Sequence, residues 1–125
     1  MKDGKYVILC VDDDADFLES SRIFLEANDY VVETAPSAED GLKMFRDCNP
    51  DLIIVDLMME EVDAGTNLAK ELKLANNTAP VYMLSSVGDQ LNMTTDYSEL
   101  GLRGVFQKPL DTKEVLKTIK SALGQ

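Results

Sequence analysis

Apolar, partly β-branched runs alternate with segments of helical period along this chain, and the connections between them are short. The runs occupy residues 6–11, 30–34, 52–55, 81–84 and 105–106. Between the first two, residues 15–28 carry Phe17, Leu18, Phe24 and Leu25 at the spacing of one helical face, behind an aspartate-rich segment able to cap it. Pro36 and Ser37 open a second helix, with Asp40 three residues after Ser37 as in a capping box and Ala38, Leu42 and Phe45 on one face; Asn49 and Pro50 stop it. Residues 66–75 place Leu68, Leu72 and Ala75 on a common stripe. A further helix is expected over 89–100, although Thr94, Thr95 and Tyr97 are weak helix formers. Gly101 and Gly104 bracket the turn into the last strand, and Asp111 and Glu114 then cap a closing helix that turns Val115, Leu116, Ile119 and Ala122 inward. Five strands alternating with five helices predict an α/β fold, a doubly wound five-stranded parallel sheet with helices on both faces. The unbroken apolar character of residues 52–55 suits a central strand buried on both sides.

Four of the five runs lead straight into a residue that can handle phosphate or metal. Asp12 and Asp13 follow the first, Asp56 the third and Ser85 the fourth, while the last passes through Gln107 to Lys108 and Pro109. In an open parallel sheet these carboxyl ends share one edge, where such folds bind their ligands. Three carboxylates, a hydroxyl and an ammonium would meet in one crevice. That set is too acidic to hold a phosphate unaided, but it suits a hard divalent cation beside a carboxylate that can accept a phosphoryl group. Adjacent Asp12 and Asp13 would repel strongly unless a cation neutralised them. Aspartate is also a favoured helix cap, so each of Asp12, Asp13 and Asp14 has a purely structural reading as well. Ser86 is small enough to leave its backbone amide open to a phosphoryl oxygen, and Lys108 supplies positive charge beside the acids.

Composition narrows the function classes. A 125-residue chain fits a single domain over 1–125 with a real core. Twelve Lys and Arg against 23 Asp and Glu give a net charge of -11, which argues against binding nucleic acid or an anionic membrane nonspecifically. Cys10 and Cys48 form neither a disulfide framework nor a metal spacing and read as reduced thiols. No apolar run approaches the roughly 20 residues of a membrane span, and the charged amino terminus precedes no signal-type core. A cytoplasmic location is expected.

The order Val11-Asp12-Asp13, Val55-Asp56, Ser85-Ser86 and Lys108-Pro109, over essentially the whole chain, resembles the receiver domain of two-component response regulators, similar in size to the single-domain chemotaxis regulators. The resemblance implies a flavodoxin-like (β/α)5 fold. It implies that Asp56 is the phosphoacceptor, charged by a phosphohistidine on a sensor histidine kinase or phosphotransfer protein. It implies Mg²⁺ as cofactor, held by Asp13 directly, by Asp12 largely through water, by Asp56 and by the backbone carbonyl of Met58. Lys108 and Ser85 would bind phosphoryl oxygens, the backbone amides of Ser86 and Met58 would assist, and the Lys108–Pro109 bond would be cis. A downstream protein would read the change, and the domain would assist its own phosphorylation and dephosphorylation without turning over an independent substrate.

The chain departs from that family at three places. Glu60 stands where the family has proline four residues after the phosphoacceptor, the following glycine is shifted so that Ala64 precedes Gly65, and Val105 occupies the switch position usually held by an aromatic. Phe106 is one place later and, by strand alternation, should face the opposite side. Rival readings fit less well. A Mg²⁺-dependent phosphatase working through an aspartyl phosphate would want a second Asp where Met58 stands. A flavodoxin-like electron carrier would want a hydroxyl-rich loop where Asp12, Asp13 and Asp14 stand. A receiver kept only as an unphosphorylated scaffold would be expected to have lost part of the acid pair, Asp56 or Lys108, and all are present.

Overall fold

The structure, a computed structural model, describes residues 2, 4–56, 64–85, 102–107 and 111–124, with backbone alone for 64–67, 85 and 107. Five strands, β1 (Val7–Val11), β2 (Val31–Ala35), β3 (Leu52–Asp56), β4 (Val81–Ser85) and β5 (Leu102–Gln107), form one parallel sheet in the order β2-β1-β3-β4-β5. Four helices are described: α1 (Ala15–Glu26), α2 (Ala38–Cys48), α3 (Ala64–Leu74) and α4 (Thr112–Ala122). The doubly wound parallel sheet expected from the sequence is therefore present. The helix expected over 89–100 lies outside the described residues, as do Met58, Glu60, Ser86, Gly101, Lys108 and Pro109.

Alternation along the strands splits the core into two layers. Leu9, Val11, Ile53, Val55 and Met83 point to the side covered by α2 and α3, where Leu68, Ala69 and Leu72 meet them. Ile8, Cys10, Leu52, Ile54 and Leu84 point to the side covered by α1 and α4, packing with Leu18, Leu25, Val115 and Ile119. Both β1 and β3 are buried along their whole length, which explains why they read as unbroken apolar runs. Phe106 joins the α1/α4 layer and stacks on Tyr82 with ring centroids 4.9 Å apart, whereas Val105 lies against the opposite layer. The two side chains thus face opposite sides, as alternation requires.

The helix ends follow their sequence signals. The Asp14 carboxylate accepts from the amides of Asp16 and Phe17, the Ser37 hydroxyl from Asp40, and the Asp111 carboxylate from Lys113 and Glu114. Asn49 ends α2 in the left-handed conformation at φ 47°, one residue before Pro50. Two expectations need correction. Ala75 does not belong to the inward stripe of the third helix. That helix ends at Leu74, Ala75 is exposed, and Ala69 packs inward instead. Gly104 does not bracket a turn. It lies inside β5 under the ring of Tyr82, where an added Cβ would sit 3.2 Å from Cε1, so the glycine serves a close approach within the sheet.

Candidate functional site

Parallel register brings the acids together. Val11 pairs with Val55, so the next residues, Asp12 and Asp56, emerge side by side from neighbouring strands, which in any sheet run about 4.8 Å apart. The strand order reverses direction here, since the chain passes from β1 out to β2 and returns on the other side as β3. That switch point is where an open α/β sheet leaves a crevice at its carboxyl edge. The amide of Asp12 still donates to the carbonyl of Ala35 at 3.1 Å, extending the β1–β2 ladder and holding the site end of β1 in place.

Carboxylate oxygens of Asp12, Asp13 and Asp56 all lie within 4.8 Å of one another. Asp12 is fully buried and Asp56 is 5% exposed, while Asp13 faces solvent. Two buried carboxylates beside a third make a strongly repulsive pocket: unit charges about 4 Å apart interact by roughly 4 kcal/mol at an effective dielectric of 20. A divalent cation in their midst would turn that repulsion into attraction, and an all-oxygen donor set suits a hard ion such as Mg²⁺. The three neighbouring aspartates divide their roles. Asp14 caps α1, Asp12 accepts from the amide of Asp14 at 2.9 Å through one oxygen, and Asp13 takes no part in the cap.

The other two site strands arrive in register with this pair. Asp56 is opposite Leu84, so Ser85 stands one residue further along the same edge, and Ser85 in turn is opposite Gln107, the residue before Lys108. The backbone therefore leads each predicted site strand to one edge. The side chain of Ser85, and Met58, Ser86 and Lys108 altogether, lie outside what is described. Sequence reasoning overlooked one contributor behind the acids. Gly41 of α2 lies against Val11, the residue before Asp12, so closely that an added Cβ would fall 2.9 Å from a Val11 methyl. The available signal was a glycine in the middle of a helix, a choice that costs about 1 kcal/mol against alanine unless packing requires it.

Comparison with known proteins decides the family, because the model of the response regulator receiver domain matches residues 8–120. The chain belongs to the response regulator receiver domain family. Among relatives of this receiver domain, the transcriptional regulatory protein ResD of Bacillus subtilis is 30% identical over 116 residues, covering 93% of the chain and 47% of that protein. The probable transcriptional regulator ycf27 of Pyropia yezoensis is 32% identical over 98% of the chain and 49% of its own length. The receiver domain thus spans about half the length of these relatives. A CheY-like response regulator receiver domain protein from Methanospirillum hungatei superposes with a TM-score of 0.87 at 26% identity, covering 97% of this chain and 95% of the other. The chemotaxis response regulator CheY4 of Vibrio cholerae gives 0.83 at 25% identity, with 95% and 99% covered. Among the described residues no helix is long and apolar enough to cross a membrane.

Proposed function

We propose that this receiver domain is a phosphorylation-dependent switch of a two-component phosphorelay, with Asp56 as phosphoacceptor. The observation that carries the reading is the meeting of Asp12, Asp13 and Asp56 within 4.8 Å at the switch point of the sheet. Asp12, Asp13 and Asp56 would hold Mg²⁺, with the Met58 carbonyl as a further ligand; when bound, the ion supplies positive charge to the phosphoryl oxygens during transfer. Asp56 is the nucleophile because it ends the central strand, rigid behind a fully buried Val55 and aimed at the crevice. One Asp56 oxygen attacks phosphorus in line with the donor's P–N bond. The O–P bond forms as the P–N bond breaks, and the electron pair stays on the imidazole nitrogen of the partner's histidine, which is then protonated. Ser85, the last residue of β4, and Lys108, which follows β5 in the sequence, would neutralise and hold the phosphoryl oxygens, with amides of Ser86 and Met58 assisting. Phosphorylation then changes the surface offered to a downstream protein. The cytoplasm, where kinases of this kind have their donors, is the expected compartment.

Acetyl phosphate with Mg²⁺ is expected to add one phosphoryl group, read by intact-mass spectrometry. Asp56→Asn should abolish the adduct and Asp13→Ala should reduce it severely. Lys108→Ala should leave a weakened adduct with no conformational response. An adduct of unchanged yield on the Asp56→Asn protein would remove Asp56 from its role.

A further inference from the structure

At the opposite end of the sheet from the acids, a cavity of about 180 Å³ opens between the end of α3 and the starts of β4 and β5. Lys73 and Arg103 line it together with Leu72, Asn77, Thr78 and Val81, and among the described residues that line it none is acidic. We propose that this hollow is a binding site for a small dianionic oxyanion, a phosphate monoester or a dicarboxylate.

Three structural features build it. First, the pairing of β4 with β5 shifts register, from Val81 opposite Leu102 to Tyr82 opposite Gly104, so Arg103 is an extra residue without a partner in β4. A bulge of this kind re-aims the side chain it carries, and here the side chain lines the hollow. Second, three carbonyls near the end of α3 already accept hydrogen bonds, which lessens but does not remove the opposition of the helix's negative end to an anion. The amide of Ala75 donates to Glu71, that of Asn76 to Lys73 and that of Asn77 to Leu72, with Asn76 in the left-handed conformation at φ 62°. Third, the Asn77 side chain clamps the rim. Its Nδ2 donates to the Ala79 carbonyl at 2.9 Å and its Oδ1 accepts from the Ala79 amide at 3.0 Å, which fixes Thr78 between them. The volume is below the roughly 300 Å³ at which pockets for drug-sized ligands begin, so a small ion fits and an extended one does not. A guanidinium matches a carboxylate or phosphate with two parallel hydrogen bonds. Lys73 is already engaged in another contact, so Arg103 is the principal donor. Leu72 and Val81 give a short carbon skeleton an apolar wall.

The site is independent of phosphorylation at Asp56, and its test is correspondingly separate. Amide spectra of the full chain are recorded during titration with inorganic phosphate, with succinate and with sodium chloride at matched ionic strength. Saturable shifts at Thr78, Ala79 and Arg103 with phosphate or succinate, and none with chloride, are expected. Arg103→Gln should weaken binding about tenfold and Arg103→Lys less, since lysine keeps the charge but loses the planar fork. Asp56→Asn should bind as the parent does. Arg103 is exposed, so the variants should keep the parent's fold, which the same spectra report. Tighter binding of phosphate assigns a phosphate monoester, and tighter binding of succinate a dicarboxylate. Shifts that never saturate on the order of tens of millimolar, or equal affinity in Arg103→Gln, would overturn the site.

Discussion

Asp14 caps α1 and Asp12 is buried, which leaves Asp13 as the exposed member of the trio formed with Asp12 and Asp56. Cys10, two residues before Asp12, feels the same environment. Burial first, then the charge of Asp12, push its thiol from an ordinary 9.0 up to about 12, with Arg22 opposing. A thiol whose pKa is raised by folding leaves stability untouched while both states are protonated. Above pH 9 the unfolded chain loses its proton first, so stability falls by up to about 1.4 kcal/mol per pH unit until the folded thiol also ionises. Cys48, only half-buried and pushed up to about 11 chiefly by burial, adds a smaller decline because solvent screens it. We expect Cys10→Ala to be less stable than the parent at pH 7, by about 1 kcal/mol for the lost packing, yet to lose stability more slowly between pH 9 and 11. Urea midpoints across that range check it, and parallel curves would contradict the account.

Among the elements, α2 bears most directly on the site because Gly41 lets it settle onto β1. Alanine there would gain about 1 kcal/mol of helix propensity, but its Cβ would meet Val11 at 2.9 and 3.1 Å and Leu68 at 3.2 Å. Val11 is stiff and fully buried, and overpacking of this kind costs about 1–3 kcal/mol, so the clash should win. Gly41→Ala is expected to lower stability by about 1 kcal/mol and to weaken Mg²⁺ binding through displacement of Asp12; chemical denaturation and a Mg²⁺ titration read the two effects separately. Most elements could be read from the sequence because local signals and tertiary demand agree. Asp14, Ser37 and Asp111 are strong caps in front of clear helical periods, and β1 and β3 are apolar because helices cover both faces. The acids at strand ends were legible for the same reason, since parallel strands must align their carboxyl ends. What escaped depends on contacts between strands distant in sequence. Gly104 looks like a turn until Tyr82 is placed over it, and the bulge at Arg103 follows from pairing with β4, which no local pattern encodes. The strand order was likewise not legible, because alternation fixes parallelism but not which strands are neighbours.

For the whole molecule, a net charge of -11 and a repulsive trio at one edge mean that cations should govern stability. Salt screens the general term, since the Debye length shrinks from about 30 Å at 0.01 M to about 8 Å at 0.15 M. The trio calls for a bound ion instead. Mg²⁺ at a hundredfold excess over its dissociation constant should add about 2.7 kcal/mol at fixed ionic strength. Asp13→Ala should be more stable than the parent without Mg²⁺, because one repelling charge is gone, and should gain little when Mg²⁺ is added. Thermal melts of both proteins with and without the ion test this, and an equal Mg²⁺ gain in the two would rule out the trio as the site. The strand order adds a consequence in time. Because β1 lies between β2 and β3, every strand and acid of the trio has been synthesised once Asp56 is reached, whereas Ser85 and Lys108 come later. At about 5–20 residues per second, Lys108 follows Asp56 out of the ribosome by several seconds. The acids are therefore synthesised before the chain's own ammonium, so a divalent ion from the cell would be the first counter-charge within their reach.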